Sequence, residues 1–172
     1  MNIEIRKANP NDATLIALLG QVTFDDTFGD LFRDRQDVLD YMDRTFSVPK
    51  IRSSLQKDNN VFWIAFANEL PVGYAKLKKI SPLEGDADIK SAQLQKIYVL
   101  KDYLALKIGS KLQQEAIREA ANSGADILWL SVLHTNNRAI HFYNKHKFVE
   151  KGKHHFTIGK EDFEFNIMML HL

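Results

Sequence analysis

The sequence has no cysteine, almost no net charge and no long apolar run. Without cysteine, a disulfide, a thiolate metal site and a cysteine nucleophile are all excluded. A formal net charge of +1, from 23 basic and 22 acidic residues, gives no electrostatic reason to expect binding to nucleic acid or to an anionic membrane. No apolar run reaches the length needed to span a bilayer. We therefore expect neither a nucleic-acid partner nor a membrane partner.

The first residues alternate apolar and charged side chains and lack the apolar core of a secretory signal. This pattern, with the absence of cysteine, fits a soluble, unexported protein, and we expect a cytoplasmic location. The length of 172 residues and a hydrophobic content of 45% suffice for one sizeable core and are too small for two. We predict a single domain over residues 1–172.

Apolar periodicity predicts an ordered series of strands and helices along the chain. Alternating or continuous apolar runs predict strands near 3–5, 61–67, 72–80, 95–100, 127–133, 148–158 and 163–170. Helical spacing predicts helices from about 10 to 25, in two short pieces between 34 and 57, from 108 onward, and from about 137 to 146. The strands at 95–100 and 127–133 are separated by one helix, the spacing of a right-handed crossover between parallel strands.

The segment from Gln95 to Ala116 reads as strand, loop and helix. The first amides of a helix have no intrahelical acceptor, and the helix dipole adds partial positive charge there, so backbone alone can hold a phosphate. An ordinary strand-to-helix connection without a ligand is the alternative, since a fold does not determine a function.

Two motifs carry a resemblance to a known family. The first runs from Tyr98 to Ser110, and the second combines Trp129–Val132 with Asn136, Ala139, Phe142-Tyr143 and Lys147-Phe148. In this order the chain resembles the GNAT (GCN5-related N-acetyltransferase) family over nearly its whole length. The resemblance implies an α/β (α+β) single domain with a mixed, mostly antiparallel sheet of about seven strands. It also implies helices on both faces and a splay between the fourth and fifth strands.

Within this family the chain is most similar to the PaiA-type polyamine N-acetyltransferases. They share a Thr-Phe-x-Asp-Thr-Phe element, here Thr23 to Phe28, and a similar hairpin around His155-Phe156 and Gly159. The resemblance implies acetyl-CoA-dependent transfer to a primary amine of a small molecule, directly and through a ternary complex. Spermidine or spermine is the first choice of acceptor. A catalytically weak acyl-CoA sensor and a peptide or protein N-acetyltransferase are the alternatives, and a homodimer through the C-terminal hairpin is compatible with the sequence.

Three positions depart from the family pattern. Leu104 stands where arginine or glutamine is usual, Lys107 stands where glycine is usual, and Lys147 replaces the glycine of a Gly-Phe ending. Only Gly109 is retained in the loop. A glycine there allows a positive φ angle or close approach of the backbone to phosphate, and a Cβ atom resists both. The loop is therefore expected to use its amides from about Leu106 to Ser110 and the Lys107 ammonium.

The resemblance also assigns residues to the acetyl-CoA site. The implied contacts are Ile97, Tyr98 and Val99 for pantetheine, Leu104, Ala105, Leu106, Lys107, Ile108, Gly109 and Ser110 for pyrophosphate, and Asn136 and Lys145. An amide of Tyr98 or Val99 could polarise the thioester carbonyl. Two alternatives stay open, because an asparagine at 136 can simply cap a helix and an exposed helical lysine at 145 is usually solvated.

Candidate catalytic and acceptor residues complete the prediction. By resemblance, Tyr143 is the general acid that protonates the departing sulfur, with a tyrosine packed on an amphipathic helix as the alternative. His134 is a candidate base, and an ordered water chain could serve instead. Phe24, Asp25, Asp26 and Phe28 could form a wall for a cationic amine or be helix-end carboxylates beside core aromatics. His154, His155 and Asp162 lack metal-ligand spacing, so no metal is predicted.

Overall fold

The computed structural model describes residues 1–172 as one sheet flanked by helices. The strands are β1 (Ile3–Lys7), β2 (Asn60–Ala67), β3 (Leu70–Lys78), β4 (Ser91–Val99), β5 (Ile127–Leu133), β6 (Val149–Ile158) and β7 (Glu161–His171). The α-helices are α1 (Ala13–Phe28), α2 (Arg35–Thr45), α3 (Val48–Leu55), α4 (Ile108–Asn122) and α5 (Asn137–Lys145). Short 3₁₀ turns occupy Pro10–Asp12, Gly29–Leu31 and Lys101–Leu106.

The seven strands lie in the order β1-β2-β3-β4-β5-β7-β6. Every neighbouring pair is antiparallel except β4 and β5, which are parallel and joined through α4. A parallel pair needs a crossover of this kind, because its connection must return to the same edge of the sheet. The predicted mixed, mostly antiparallel sheet of about seven strands is confirmed.

Both faces of the sheet are covered, and β2 shows why. Its sequence NVFWIAFA is apolar nearly throughout, as expected for a strand buried on both sides. Trp63 and Ala65 belong to the core beneath α4 and α5, whereas Phe62 and Ile64 belong to the core beneath α1, α2 and α3. The period of two along a strand therefore divides one apolar run between two cores.

The β4 and β5 strands pair only at their beginnings. Their register covers Ser91–Gln93 against Ile127–Trp129 and stops there. Beyond this point β4 stays with β3, and β5 stays with β7. The two strands consequently diverge toward Val99 and Leu133, which leaves backbone groups of β4 without a partner in β5. This is the splay predicted between the fourth and fifth strands.

Two element boundaries differ from the sequence-based expectation. Strand β4 begins at Ser91, before the predicted start near Gln95, because its first residues pair with β3 and β5. Helix α1 continues through Phe28 instead of ending near Asp25. Phe24 and Phe28, one helical turn apart, are both buried, and this tertiary packing extends the helix by one turn.

Two lysines face each other on the α1–α3 side of the sheet. Lys76 of β3 lies directly opposite Lys96 of β4, and neither has a carboxylate partner. Their ammonium groups lie over aromatic rings, Lys76 over Phe62 at 5.5 Å and Lys96 over Phe46 at 5.4 Å. Burial lowers the pKa of each lysine to about 8, and for Lys76 the charge of Lys96 contributes as well.

We expect Lys96→Met to stabilise the protein at pH 7 by about 1 kcal/mol, because the native state disfavours this charge. A depressed lysine pKa means that the unfolded chain binds more protons between about pH 8 and about pH 10, so wild-type stability should rise over that range. The advantage of Lys96→Met should then shrink toward pH 10. Urea unfolding at several pH values measures this, with the exposed Lys153→Met as control; equal effects of the two variants would contradict it.

Candidate active site

A cavity of about 640 Å³ opens where β4 and β5 diverge. Its lining comes from β4, the turn before α4, the start of α4, the end of β5, α5 and the C-terminal part of α1 with its following turn. The lining residues are Thr23, Asp26, Thr27, Leu31, Ile97, Tyr98, Val99, Lys101, Leu104, Ala105, Lys107, Gly109, Ser110, Leu133, Thr135, Asn136, Arg138, Ala139, Phe142 and Tyr143. The cavity thus has one side formed by the loop before α4 and another formed by α1.

The N-terminus of α4 lies at this cavity without a capping side chain. The first backbone bond of the helix runs from the Lys111 N–H to the Lys107 carbonyl at 3.2 Å. The amides of Ile108, Gly109 and Ser110 precede it and have no acceptor within the protein. Unpaired first-turn amides and the positive end of the helix dipole together suit a phosphate group.

Lys107 has the backbone conformation for which glycine is usual. Its φ of +58° and ψ of 19° lie in the left-handed region, just before α4 begins. Lys147, the other lysine at a family glycine position, also has a positive φ, of +72°. The chain therefore keeps the backbone geometry of both glycines and accepts a cost of about 1 kcal/mol at each for the side chain.

Tyr143 lies at the bottom of the cavity wall formed by α5. Only 7% of the residue is exposed, and its ring packs against Phe142 and Phe148. Burial, with a smaller contribution from the nearby Tyr98, raises the pKa of Tyr143 above its usual value. The phenol therefore remains protonated at neutral pH. Tyr143 is thus packed in the core and also borders the cavity, and its role as general acid stays a prediction.

Asn136 and Lys145 occupy different environments. The Asn136 side chain caps α5 by accepting a hydrogen bond from the Ala139 N–H at 3.2 Å, and the residue also lines the cavity. Lys145 is exposed in the last turn of α5 and does not line the cavity. Of the implied loop contacts, Leu106 does not line the cavity either. The side chain of Ile108 is fully buried against the sheet, which leaves only its amide available.

His134 is held against β7 rather than facing the cavity. Its Nδ1 lies 3.0 Å from the backbone oxygen of Glu164, and its neighbours Leu133 and Thr135 are the residues that border the cavity. The residue begins the turn that follows β5. The structure thus does not bring His134 together with Tyr143 at the cavity.

Only one residue of the predicted amine wall faces the cavity. Phe24 and Phe28 stack at 4.9 Å inside the core, which is a correction to the prediction that they contact the acceptor. Asp25 forms a bidentate ion pair with Arg35 and does not line the cavity. Asp26 alone is both exposed and at the cavity. The helical period explains this, because residues four apart share the core face while Asp26 lies between them.

The prediction missed two basic residues that line the cavity, Lys101 and Arg138. Lys101 begins the 3₁₀ turn two residues after the end of β4, and Arg138 lies in the first turn of α5. Helical spacing could have found Arg138, because it lies three residues after Thr135 and four before Phe142, and all three residues line the cavity.

Other kinds of site have no support in the structure. No group of three or more histidine, cysteine, aspartate or glutamate side chains is placed to hold a metal ion. None of the helices combines the length and the apolar character that crossing a membrane requires.

Comparison with known sequences decides the family. The profile of the Acetyltransferase (GNAT) family matches residues 25–148, which is most of the chain. The chain belongs to the GNAT family. This confirms the predictions of an N-acetyltransferase, of a single-domain GNAT fold and of acetyl-CoA as its cosubstrate. The divergent β4 and β5 and the open N-terminus of α4 fit that cosubstrate, because they offer unpaired backbone groups along one cavity.

Individual relatives are distant. An uncharacterized N-acetyltransferase from the pepI 3′ region of Lactobacillus delbrueckii subsp. lactis is 22% identical over 161 residues, which cover 92% of this chain and 91% of the relative. An uncharacterized N-acetyltransferase of Mycobacterium bovis is 27% identical over 124 residues, 72% of this chain and 75% of the relative.

Solved structures support the same fold. The PaiA N-acetyltransferase from Thermoplasma acidophilum, crystallised in complex with coenzyme A, has a TM-score of 0.77 at 23% identity, with both chains fully covered. YncA from Salmonella typhimurium, solved with its cofactor acetyl-CoA, has a TM-score of 0.70 at 18% identity and covers 100% of this chain and 95% of its own. At these identities the likeness shows the fold alone.

Variants at Lys107 distinguish the contribution of its backbone conformation to coenzyme A binding from the contribution of its charge. We expect Lys107→Asn, which tolerates the left-handed conformation, and Lys107→Gly, which favours it, both to weaken coenzyme A binding roughly tenfold, about 1.4 kcal/mol, if the ammonium contacts phosphate. Titration calorimetry with coenzyme A measures this, with Lys145→Asn as a control of equal charge change. Wild-type affinity in both Lys107 variants would show that only the amides bind.

Proposed function

We propose that this protein transfers an acetyl group from acetyl-CoA to a primary amine of a small molecule, with polyamines as the first acceptors to test. One observation carries the proposal: the protonated Tyr143 and the uncapped N-terminus of α4 border the same cavity, at the divergence of β4 and β5. A phosphate site and a proton donor in one cavity match the pyrophosphate and the thioester of the cosubstrate that the family uses.

The amides at the start of α4 hold the pyrophosphate, and three basic side chains around the cavity support them. These side chains are Lys101, Lys107 and Arg138. Asn136 orders this region by capping α5, which presents Arg138 in its first turn. The positive charges compensate for Leu104, which offers no donor at the position where the family has arginine or glutamine.

The unpaired backbone of β4 orients the cosubstrate. Ile97, Tyr98 and Val99 line the cavity beyond the last β4–β5 pair. The Leu100 N–H donates to the Val72 carbonyl of β3, so the backbone of Tyr98, two residues earlier, also faces β3. The backbone groups of Ile97 and Val99 face the gap instead and can bond an extended chain laid there. The Val99 N–H serves as the donor to the thioester oxygen, because the Tyr98 N–H faces β3. Acetyl-CoA, when bound, supplies a thioester whose carbonyl carbon accepts the amine nitrogen while its carbon–sulfur bond breaks.

Tyr143 holds the proton that the leaving sulfur requires. Its raised pKa keeps that proton on the phenol oxygen until the sulfur becomes a base. The incoming amine must lose one proton as well. Asp26 is the only carboxylate at the cavity and His134 does not face it, so we assign this second proton to water in the open part of the cavity.

Asp26 provides the anionic contact for the acceptor. It lies on the α1 side of the cavity with Thr23, Thr27 and Leu31, opposite the basic side that receives phosphate. The basic side therefore suits the anionic phosphate, and the α1 side with Asp26 suits a cationic amine. The fold shared with the Thermoplasma acidophilum PaiA protein adds support for a polyamine, at the level of likeness only.

An acyl-CoA sensor is the second candidate, and the loop motivates it. Leu104 and Lys107 replace residues that the family uses to bind pyrophosphate. Calorimetry with acetyl-CoA and a thiol-release assay against spermidine, amino acids and peptides separate the candidates. Binding without release on every amine would favour the sensor, release on peptides alone would favour a peptide acetyltransferase, and no binding would exclude all of these functions.

Tyr143→Phe should lower kcat by about 10²-fold and leave coenzyme A affinity unchanged, because it removes one proton and no binding contact. Since burial raises the pKa of Tyr143, ionisation of this phenol should not depress the wild-type rate between pH 7 and about pH 10. Steady-state thiol release measures both. Tyr41→Phe, a tyrosine of α2 away from the cavity, is the control. An unchanged kcat in Tyr143→Phe would remove the assignment.

Asp26→Asn should raise KM for spermidine by about threefold, the magnitude expected of an exposed charge pair, with little effect on KM for acetyl-CoA. The increase should be smaller for a monoamine, which has no second ammonium for the carboxylate. Kinetics with both amines measure this, and Asp30→Asn, an exposed aspartate that does not line the cavity, is the control. Identical changes for both amines would contradict a role for Asp26 in binding a second cationic group.

A further inference from the structure

The β6–β7 turn is bound to the start of α2 by one lysine with two donors. The Lys160 Nζ donates to Asp34 Oδ2 at 2.6 Å, and the Lys160 backbone N–H donates to Asp37 Oδ2 at 2.9 Å. The hydrogen bond from Lys160 also lowers the pKa of Asp34, which keeps this carboxylate charged. Residues more than 120 positions apart in sequence are thereby joined at the surface.

Two further contacts fit the same turn to the same segment. The Arg33 Nε lies 3.2 Å from Glu161 Oε2, and its Nη2 donates to the Lys160 carbonyl. Gly159 has a φ of +56°, and a Cβ atom there would overlap the Asp37 carboxylate. A side chain at 159 would therefore both strain the turn and push α2 away. The turn sequence Gly159-Lys160-Glu161 is thus complementary to the segment from Arg33 to Asp37.

The segment held in this way continues directly into the acceptor side of the cavity. Leu31, which lines the cavity, lies immediately before Phe32 and Arg33, and Thr27, which also lines it, lies four residues before Leu31 in α1. Phe32 packs against Phe163 of β7 at 5.2 Å between ring centres, so an apolar contact lies close to the ionic ones. A shift of the 29–34 segment would move Leu31 relative to Tyr98 and Tyr143.

We propose that Lys160 is a positioning residue for the amine acceptor: by holding Asp34 and Asp37 it fixes the 29–34 segment and, through Leu31, the acceptor side of the cavity. The inference rests on the proposed function for its kinetic consequence. Lys160 itself does not line the cavity, so it acts through the segment and not by contact with the acceptor.

Loss of the Lys160 side chain should affect the position of the 29–34 segment more than the global stability of the protein. Its ion pair is solvent-exposed, and such pairs contribute little to global stability. The aromatic contact of Phe32 remains when the ammonium is removed. The cosubstrate side of the cavity, built from β4, α4 and α5, is not attached to this turn. The effect should therefore appear in the acceptor kinetics and be absent from cosubstrate kinetics.

The test compares Lys160→Met, Lys160→Arg and Asp34→Asn, which keeps an oxygen to cap α2. We expect Lys160→Met and Asp34→Asn to raise KM for the amine about fivefold and to leave KM for acetyl-CoA within twofold. Lys160→Arg should keep the wild-type KM for the amine. The double variant Lys160→Met with Asp34→Asn should raise this KM no more than either single variant does. Lys7→Met, which breaks an exposed pair between Lys7 and Glu119 at 2.7 Å on the far edge of the sheet, is the matched control.

Hydrogen exchange tests, without an activity assay, whether Lys160 holds the 29–34 segment in place. In Lys160→Met the amides of residues 27–34 should exchange faster than in the wild type, while those at the start of α4 should not change. If the wild type acetylates no amine, the proposed function fails and exchange alone decides this inference. Unchanged exchange at 27–34, or equal increases of both KM values, would overturn it.

Discussion

The divergence of β4 and β5 is the constraint on which the rest of the site depends. Parallel pairing ends at Gln93 and Trp129, so the later backbone groups of β4 that face β5 have no partner there. Backbone groups inside a folded domain need another partner, and an extended ligand laid between the strands is one. The separation also creates the cavity that Tyr143 borders from α5 and Asp26 from α1. The geometry of the sheet therefore determines where the residues of the site lie.

The loop before α4 shows how a site can keep its geometry while its residues change. Glycine is the usual way to reach a positive φ, yet Lys107 and Lys147 hold that conformation with full side chains. Both lysines lie in turns whose neighbours are fixed by helix or strand, which imposes the conformation and its strain. At Lys107 the exchange places an ammonium beside the uncapped helix end, so a lost glycine is accompanied by a gained positive charge.

The two sides of the cavity are organised differently. The cosubstrate side uses β4 and the beginnings of α4 and α5, where backbone ends determine the geometry. The side that we propose for the acceptor depends on α1 and its following turn. The position of this turn relies on packing of Phe28 and Phe32 against Phe163 and on the ion pairs of Arg33 and Lys160. Side-chain contacts of this kind change more readily than strand pairing, which suits the part of an acetyltransferase that selects its acceptor.

Local sequence was sufficient for the order of elements, the parallel crossover and the family, because apolar periodicity and the family's motifs can be read along the chain. Tertiary structure decided which side chains face the cavity. It placed Phe24 and Phe28 in the core, paired Asp25 with Arg35, turned His134 toward β7 and brought Lys101 and Arg138 to the site. The physical reason is that a motif specifies a residue's neighbours in sequence, whereas exposure to a cavity depends on the rotation of each helix and strand against distant partners.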